Sequence, residues 1–168
     1  MGERTLLEHT IAPVFDERSR VLVLGTFPSP KSREAGFFYG HPQNRMWRVL
    51  AAVMGEERVP QTVAERTAFL LRNRIAMWDT IARCTIEGAS DASIRDAVPN
   101  DLAHILNAAP IGAVFTTGAK AHELYVRYQL RQTGIPDVRL PSTSAANATW
   151  TLTRLIEAYQ AVAEAVRV

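Results

Sequence analysis

The sequence predicts an α/β protein, with a parallel sheet covered by helices on both faces. Short apolar runs recur along the chain, and amphipathic helical patterns alternate with them. Strands that alternate with helices pair in parallel, because each helix carries the chain back across the sheet. The composition is that of an ordinary globule, with 47% hydrophobic and 21% charged residues.

The first apolar run is Val21-Leu22-Val23-Leu24, which stops at Gly25 and the turn-rich Pro28-Ser29-Pro30. An unbroken apolar run of this length reads as a strand buried on both faces. Residues 25–44 are then expected to be loop. Residues 45–54 have helical spacing, with Trp47, Leu50, Ala51 and Met54 on one face and Gly55 as the stop. A second helix is expected over 62–72 and a second strand over 75–78. Residues 80–99 read as mostly irregular around a polar centre. Asn100 or Asp101 caps a helix that runs to residue 108, where Pro110 ends the pattern. A third strand is expected over 111–115, a helix over 119–130, a fourth strand over 138–140 and a last amphipathic helix over 149–166.

The 168 residues suit one domain, spanning 1–168. Net charge is only +2, weak for a nucleic-acid binder, so any such affinity would need locally placed charge, such as the cluster of Lys31, Arg33, Arg45 and Arg48. The single cysteine, Cys84, excludes a disulfide within the chain and Cys-only metal sites, and fits a reducing compartment. No apolar run reaches membrane-spanning length and no signal-peptide pattern opens the chain, so the expectation is a cytoplasmic protein. There is no Gly-x-Gly-x-x-Gly and no Gly-Lys-Ser/Thr, which argues against dinucleotide and nucleoside-triphosphate sites.

In open parallel sheets, ligands bind at the carboxyl ends of the strands. The loops after the first and fourth strands are also the richest in Pro, Ser, Thr and Asn. The first holds Gly25, which allows close backbone approach, and the aromatics Phe37, Phe38 and Tyr39, which offer a planar base a stacking surface. His41, Gln43 and Asn44 add donors and acceptors just before a helix. Each has an ordinary structural reading as core aromatic, hydrogen-bonder or N-cap. Their concentration in one loop favours a site.

Three segments carry a resemblance. Gly25-Thr26-Phe27-Pro28-Ser29, Phe38-Tyr39-Gly40-His41-Pro42-Gln43-Asn44-Arg45-Met46-Trp47 and Leu140-Pro141-Ser142-Thr143-Ser144-Ala145-Ala146-Asn147 together resemble the uracil-DNA glycosylase superfamily. The match is nearest to its hypoxanthine-DNA glycosylase branch, also called DNA-deoxyinosine glycosylase. The mismatch-specific uracil-DNA glycosylases share the His-Pro-x-Asn-Arg-x-Trp stretch. The resemblance spans residues 21–147.

It implies a three-layer αβα sandwich around a four-stranded parallel sheet. It also implies a monofunctional enzyme that hydrolyses the N-glycosidic bond of hypoxanthine or uracil in DNA, without metal or cofactor. Many relatives place a catalytic Asn where this chain has Phe27, whereas the hypoxanthine branch places it at Asn44. His41 either stabilises the departing base or orders the loop. Gly25, Thr26, Phe27, Pro28, Tyr39 and Thr117 are the expected base-binding residues, with Tyr39 in the stacking position. Ser29, Arg33, Arg45, Ser142, Thr143, Ser144 and Asn147 are the expected DNA contacts. The expected partner is DNA with deaminated or mismatched bases, no membrane is involved, and the chain acts as a monomer. The alternative is a module that binds damaged or mismatched DNA without cutting it.

Overall fold

The computed structural model describes residues 4–88 and 90–168. Its elements run β1 (Arg4–Glu8), β2 (Val21–Gly25), α1 (Pro30–Ala35), α2 (Met46–Val53), α3 (Val63–Arg72), β3 (Ile75–Asp79) and β4 (Ile81–Glu87). They continue as β5 (Arg95–Pro99), α4 (Ala103–Ala108), β6 (Ala113–Thr117), α5 (Ala119–Tyr128), α6 (Leu130–Thr133), β7 (Asp137–Leu140) and α7 (Leu152–Val166).

Four strands form a parallel sheet in the order β3-β2-β6-β7. The unbroken apolar run of β2 explains its central place, because side chains alternate between two covered faces. Val21 and Val23 join one core with Trp47 and Leu50 of α2, Phe69 of α3 and Leu155 of α7. Leu22 and Leu24 join the other, with Leu102, Ile105 of α4 and Tyr125 of α5. The predicted αβα layering is thus present. The chain steps from β2 to β3 on one side and returns to β6 on the other. That reversal opens a crevice at the strands' carboxyl ends.

Several local expectations need correction. Residues 80–99 are not irregular: β4 and β5 pair antiparallel, and β1 adds to β4 with Leu7 opposite Cys84. Arg83-Cys84-Thr85-Ile86 alternates, and Cys84 and Ile86 turn inward onto a third core with Phe27 and Leu124. The signal was weak because β4 has few apolar positions, its pairing with β5 is broken by register shifts, and its other partner, β1, lies about eighty residues away. Residues 25–44 contain α1, capped by Ser29 and ended by Gly36 at φ 71°. The third parallel strand begins at Ala113, not at 111, and the last helix begins at Leu152, with Thr151 as its N-cap. The helix expected over 119–130 divides at Gln129, whose buried Nε2 donates to the carbonyls of Thr80 and Asn100. Neither expected residue holds the N-cap of α4, which is Leu102: Asp101, one residue earlier, accepts from the Ala103 amide, and Asn100 is buried and donates to the carbonyls of Asp79 and Ile81.

Candidate active site

A cavity of about 410 Å³ lies at the carboxyl ends of β2, β3 and β6, roofed by the segment after β7. Gly25 ends β2, Asp79 ends β3 and Thr117 ends β6. The parallel register Gly25–Asp79 sets the first two side by side. Space at Gly25 is tight: a Cβ there would stand 2.5 Å from Asp79 Oδ1 and 2.9 Å from Tyr39 Oη. Beyond β2, the amide nitrogens of Thr26 and Phe27 have no hydrogen-bond partner among the described residues. The Thr26 carbonyl, by contrast, accepts from the Ile81 amide at 3.1 Å, which fixes the turn.

Of the three consecutive aromatics, only two reach the cavity. Phe37 is core, stacked on Trp47 with ring centroids 5.8 Å apart. Phe38 is largely buried but lends an edge to the lining, and Tyr39 lines it from a left-handed backbone at φ 51°. The Tyr39 hydroxyl is 2.9 Å from Thr117 Oγ1. Burial, and then the Asp79 carboxylate, push the Tyr39 phenol far above its ordinary value, so it stays neutral. The loop is held by Ser32, whose Oγ accepts from the Gly40 amide at 3.1 Å.

Asn44 lines the cavity and joins the two motif loops. Its Oδ1 accepts from the Met46 amide at 2.9 Å and from the Thr143 hydroxyl at 2.8 Å. Both lone pairs of that oxygen are therefore engaged, which orients the amide. Its Nδ2 has no partner among the described residues. His41 lines the cavity mouth and is exposed. Its Nδ1 accepts from the Gln43 amide at 3.1 Å, so a neutral ring carries its proton on Nε2.

Thr26, Phe27, Pro28, Ser29, Ser142, Thr143 and Ser144 also line the cavity. Arg33, Arg45 and Asn147 do not. Arg33 donates to the Pro28 carbonyl and lies over the Phe27 ring. Arg45 is a strut: its Nη2 donates to the carbonyls of Ser144 and Asn147 at 2.8 and 3.2 Å, and its Nη1 to that of Trp150. Its backbone amide donates to the Thr143 carbonyl at 3.1 Å. Asn147 Nδ2 donates to the Ser142 carbonyl at 3.0 Å.

Two lining carboxylates and one histidine stand outside the residues expected at the site from the sequence. Asp79 is 4% exposed and its Oδ2 is 2.8 Å from Nε2 of buried His9. His9 sits among Phe27, Phe38 and Trp78. The strand-end position of Asp79 was the available signal; His9, after β1, had none. Asp91 lines the same cavity from the turn before β5. Desolvation and the Asp79 charge push its carboxyl up, against the pull of Lys120 and Thr26.

A crevice of this kind, with aromatic walls, unpartnered amides and an oriented Asn, suits an enzyme that takes a planar base from a nucleic acid. The sequence profile of the uracil DNA glycosylase superfamily matches residues 12–165, and the chain belongs to that family. It is accordingly a DNA glycosylase. Two curated relatives are described as hypoxanthine DNA glycosylases. The one from Methanosarcina barkeri is 34% identical over 138 residues, 80% of this chain and 85% of the relative. The one from Methanosarcina acetivorans is 31% identical over 145 residues, covering 84% and 89%. A solution NMR structure of a candidate uracil DNA glycosylase from Methanosarcina acetivorans superposes with a TM-score of 0.82 at 30% identity, covering 98% of this chain and all of the other.

Proposed function

We propose that the chain excises hypoxanthine from DNA, with uracil as a second substrate, and that the target nucleotide is flipped into the cavity. A base inside a duplex is out of reach of a buried site, and a mispaired base costs least to extract. Tyr39 and Phe38 offer the flipped ring a wall, worth about 1–3 kcal/mol per stacked base. The Thr26 and Phe27 amides suit the base carbonyl, where negative charge grows as the bond breaks. Both Methanosarcina relatives are described as hypoxanthine DNA glycosylases, which favours hypoxanthine.

The observation that carries the mechanism is the fixed amide of Asn44. With its Oδ1 closed off, the group it offers is the Nδ2–H donor. That donor holds a water by one lone pair and leaves the other for C1′ of the oxocarbenium-like sugar. The C1′–N bond breaks, a C1′–O bond forms, and the water's proton ends on the departed base. The amide orients and does not deprotonate, which suffices when the leaving group carries the charge. His41 Nε2–H supplies a further donor at the mouth. The thirteen other residues named from the sequence divide between base pocket and DNA contact as their positions suggest: those lining the cavity touch the nucleotide, and Arg33, Arg45 and Asn147 hold the segments that touch it.

The test is single-turnover cleavage of duplexes that carry one hypoxanthine or one uracil, with alkali to reveal abasic sites. Strand breaks that need alkali, with hypoxanthine faster, are the expected result. Asn44→Ala is expected to fold normally and to lose about 100-fold or more in rate. Near-normal excision by this variant would remove Asn44 from the mechanism. Tight selective binding without product on either base would make the chain a damage-binding module.

A further inference from the structure

We propose that the outer edge of β1 is an association surface for a second copy of this chain, which pairs with it antiparallel about a two-fold axis at Leu6. This differs from the monomer expected from the sequence. The surface lies apart from the cavity, so the inference does not depend on which base is excised. In the small sheet, ordered β1-β4-β5, β1 pairs with β4 on one side, and no strand pairs its other edge among the described residues.

The hydrogen-bond parity of the strand fixes which residues are offered. The His9 amide donates to the Ala82 carbonyl at 2.7 Å, one step beyond the Glu8–Arg83 pair. Main-chain groups of alternate residues in a strand point the same way. Thr5, Leu7 and His9 therefore face β4, while Arg4, Leu6 and Glu8 present their amides and carbonyls outward. The side chains of the same three residues share one face of the sheet. All three are exposed, Leu6 at 61%. A regular edge strand with an exposed apolar residue is a template for another strand. The opposite edge of this sheet is blunted, because β5 pairs with register shifts, carries Asp96 at φ 54° and ends in Pro99.

The β1 edge is complementary to itself. Antiparallel pairing centred on Leu6 sets the two leucines opposite each other, Arg4 opposite the Glu8 of the second copy, and Glu8 opposite its Arg4. All three are hydrogen-bonding positions, so about six main-chain bonds form. Opposite charges meet at both ends and an apolar pair fills the centre. A slip of the register by two residues puts leucine against a charge, and parallel pairing in register sets like charges together. Within its own chain Arg4 bonds Glu87 and the Ser93 carbonyl, and Glu8 lies opposite Arg83. The Arg4 side chain is still 38% exposed, so its charge can reach a second carboxylate. A five-residue edge makes a small interface, which sets the association in the transient class.

The experiment is sedimentation velocity of the whole chain from low micromolar to near-millimolar concentration. The mass should rise from that of one chain toward that of two. Leu6→Pro removes an outward amide donor and leaves the β4 ladder intact, since proline is tolerated where the N–H faces away from the sheet. This variant should keep the mass of one chain, with a thermal midpoint and an excision rate near wild type. Arg4→Glu and Glu8→Arg should each weaken self-association about tenfold or more, because like charges then meet at both ends. An equimolar mixture of the two charge variants should associate again, since their edges are then complementary. The mass of one chain throughout the range, or self-association that survives Leu6→Pro in a folded variant, overturns the proposal. So does a mixture of the charge variants that associates no better than either alone.

Discussion

Gly25 concentrates the constraints of the site in one residue. Its α-carbon faces Asp79 Oδ1 and Tyr39 Oη at distances that a methyl group would violate. Both neighbours are tethered, Asp79 by His9 and Tyr39 by Thr117, so neither can yield freely. Gly25→Ala is expected to lower stability by about 1–3 kcal/mol through overpacking. Excision should fall at least tenfold as the carboxylate and the phenol are displaced together. Thermal unfolding and single-turnover kinetics on the same preparation check both effects. A variant with wild-type kinetics would show that the strand end is looser than this packing implies.

At the scale of elements, the site depends on how α2 and the segment between β7 and α7 are joined. Arg45, at the start of α2, binds main-chain carbonyls from Thr143 to Trp150, and Thr143 in turn holds Asn44. Arg45→Met leaves these carbonyls without their donor, at a cost of about 1–3 kcal/mol. Hydrogen exchange over residues 142–150 should quicken, and excision should slow because the Asn44 amide loses its orientation. Arg45→Lys should not rescue either effect, since an ammonium lacks the planar fork that spans separate carbonyls. Unchanged exchange in that segment would show that the loop holds itself.

For the whole molecule, the parallel sheet is the shared wall of two cores, with Leu50 on one face and Ile105 on the other. Both side chains are fully buried. Leu50→Ala and Ile105→Ala should each cost about 2–5 kcal/mol. A chain of this size should lose about 2–4 °C of Tm for each kcal/mol. Because the sites do not touch, the two losses should add in the double variant, within one cooperative transition. Two separate transitions in calorimetry would mean that the faces unfold independently.

The sequence determined what local patterns can encode. The unbroken run of β2 called for a strand covered on both sides, the helical spacing after Arg45 gave α2, and strand–helix alternation gave a parallel sheet with its site at the carboxyl ends. Gly25, Tyr39, His41, Asn44, Thr117 and Ser142 to Ser144 were legible because the motif loops lie at those ends, and all line the cavity. Only the tertiary structure decided the antiparallel sheet, since β1 meets β4 through pairs such as Leu7–Cys84, distant in sequence. That pairing also positions the chain just before His9, which meets Asp79 seventy residues away. The tertiary structure also gave Arg45 its main-chain partners in the segment before α7 and took Phe37 into the core. The physical reason is the same throughout. Periodicity and turn chemistry are written within about ten residues, whereas the partner of a buried charge is fixed only when distant strands close side by side.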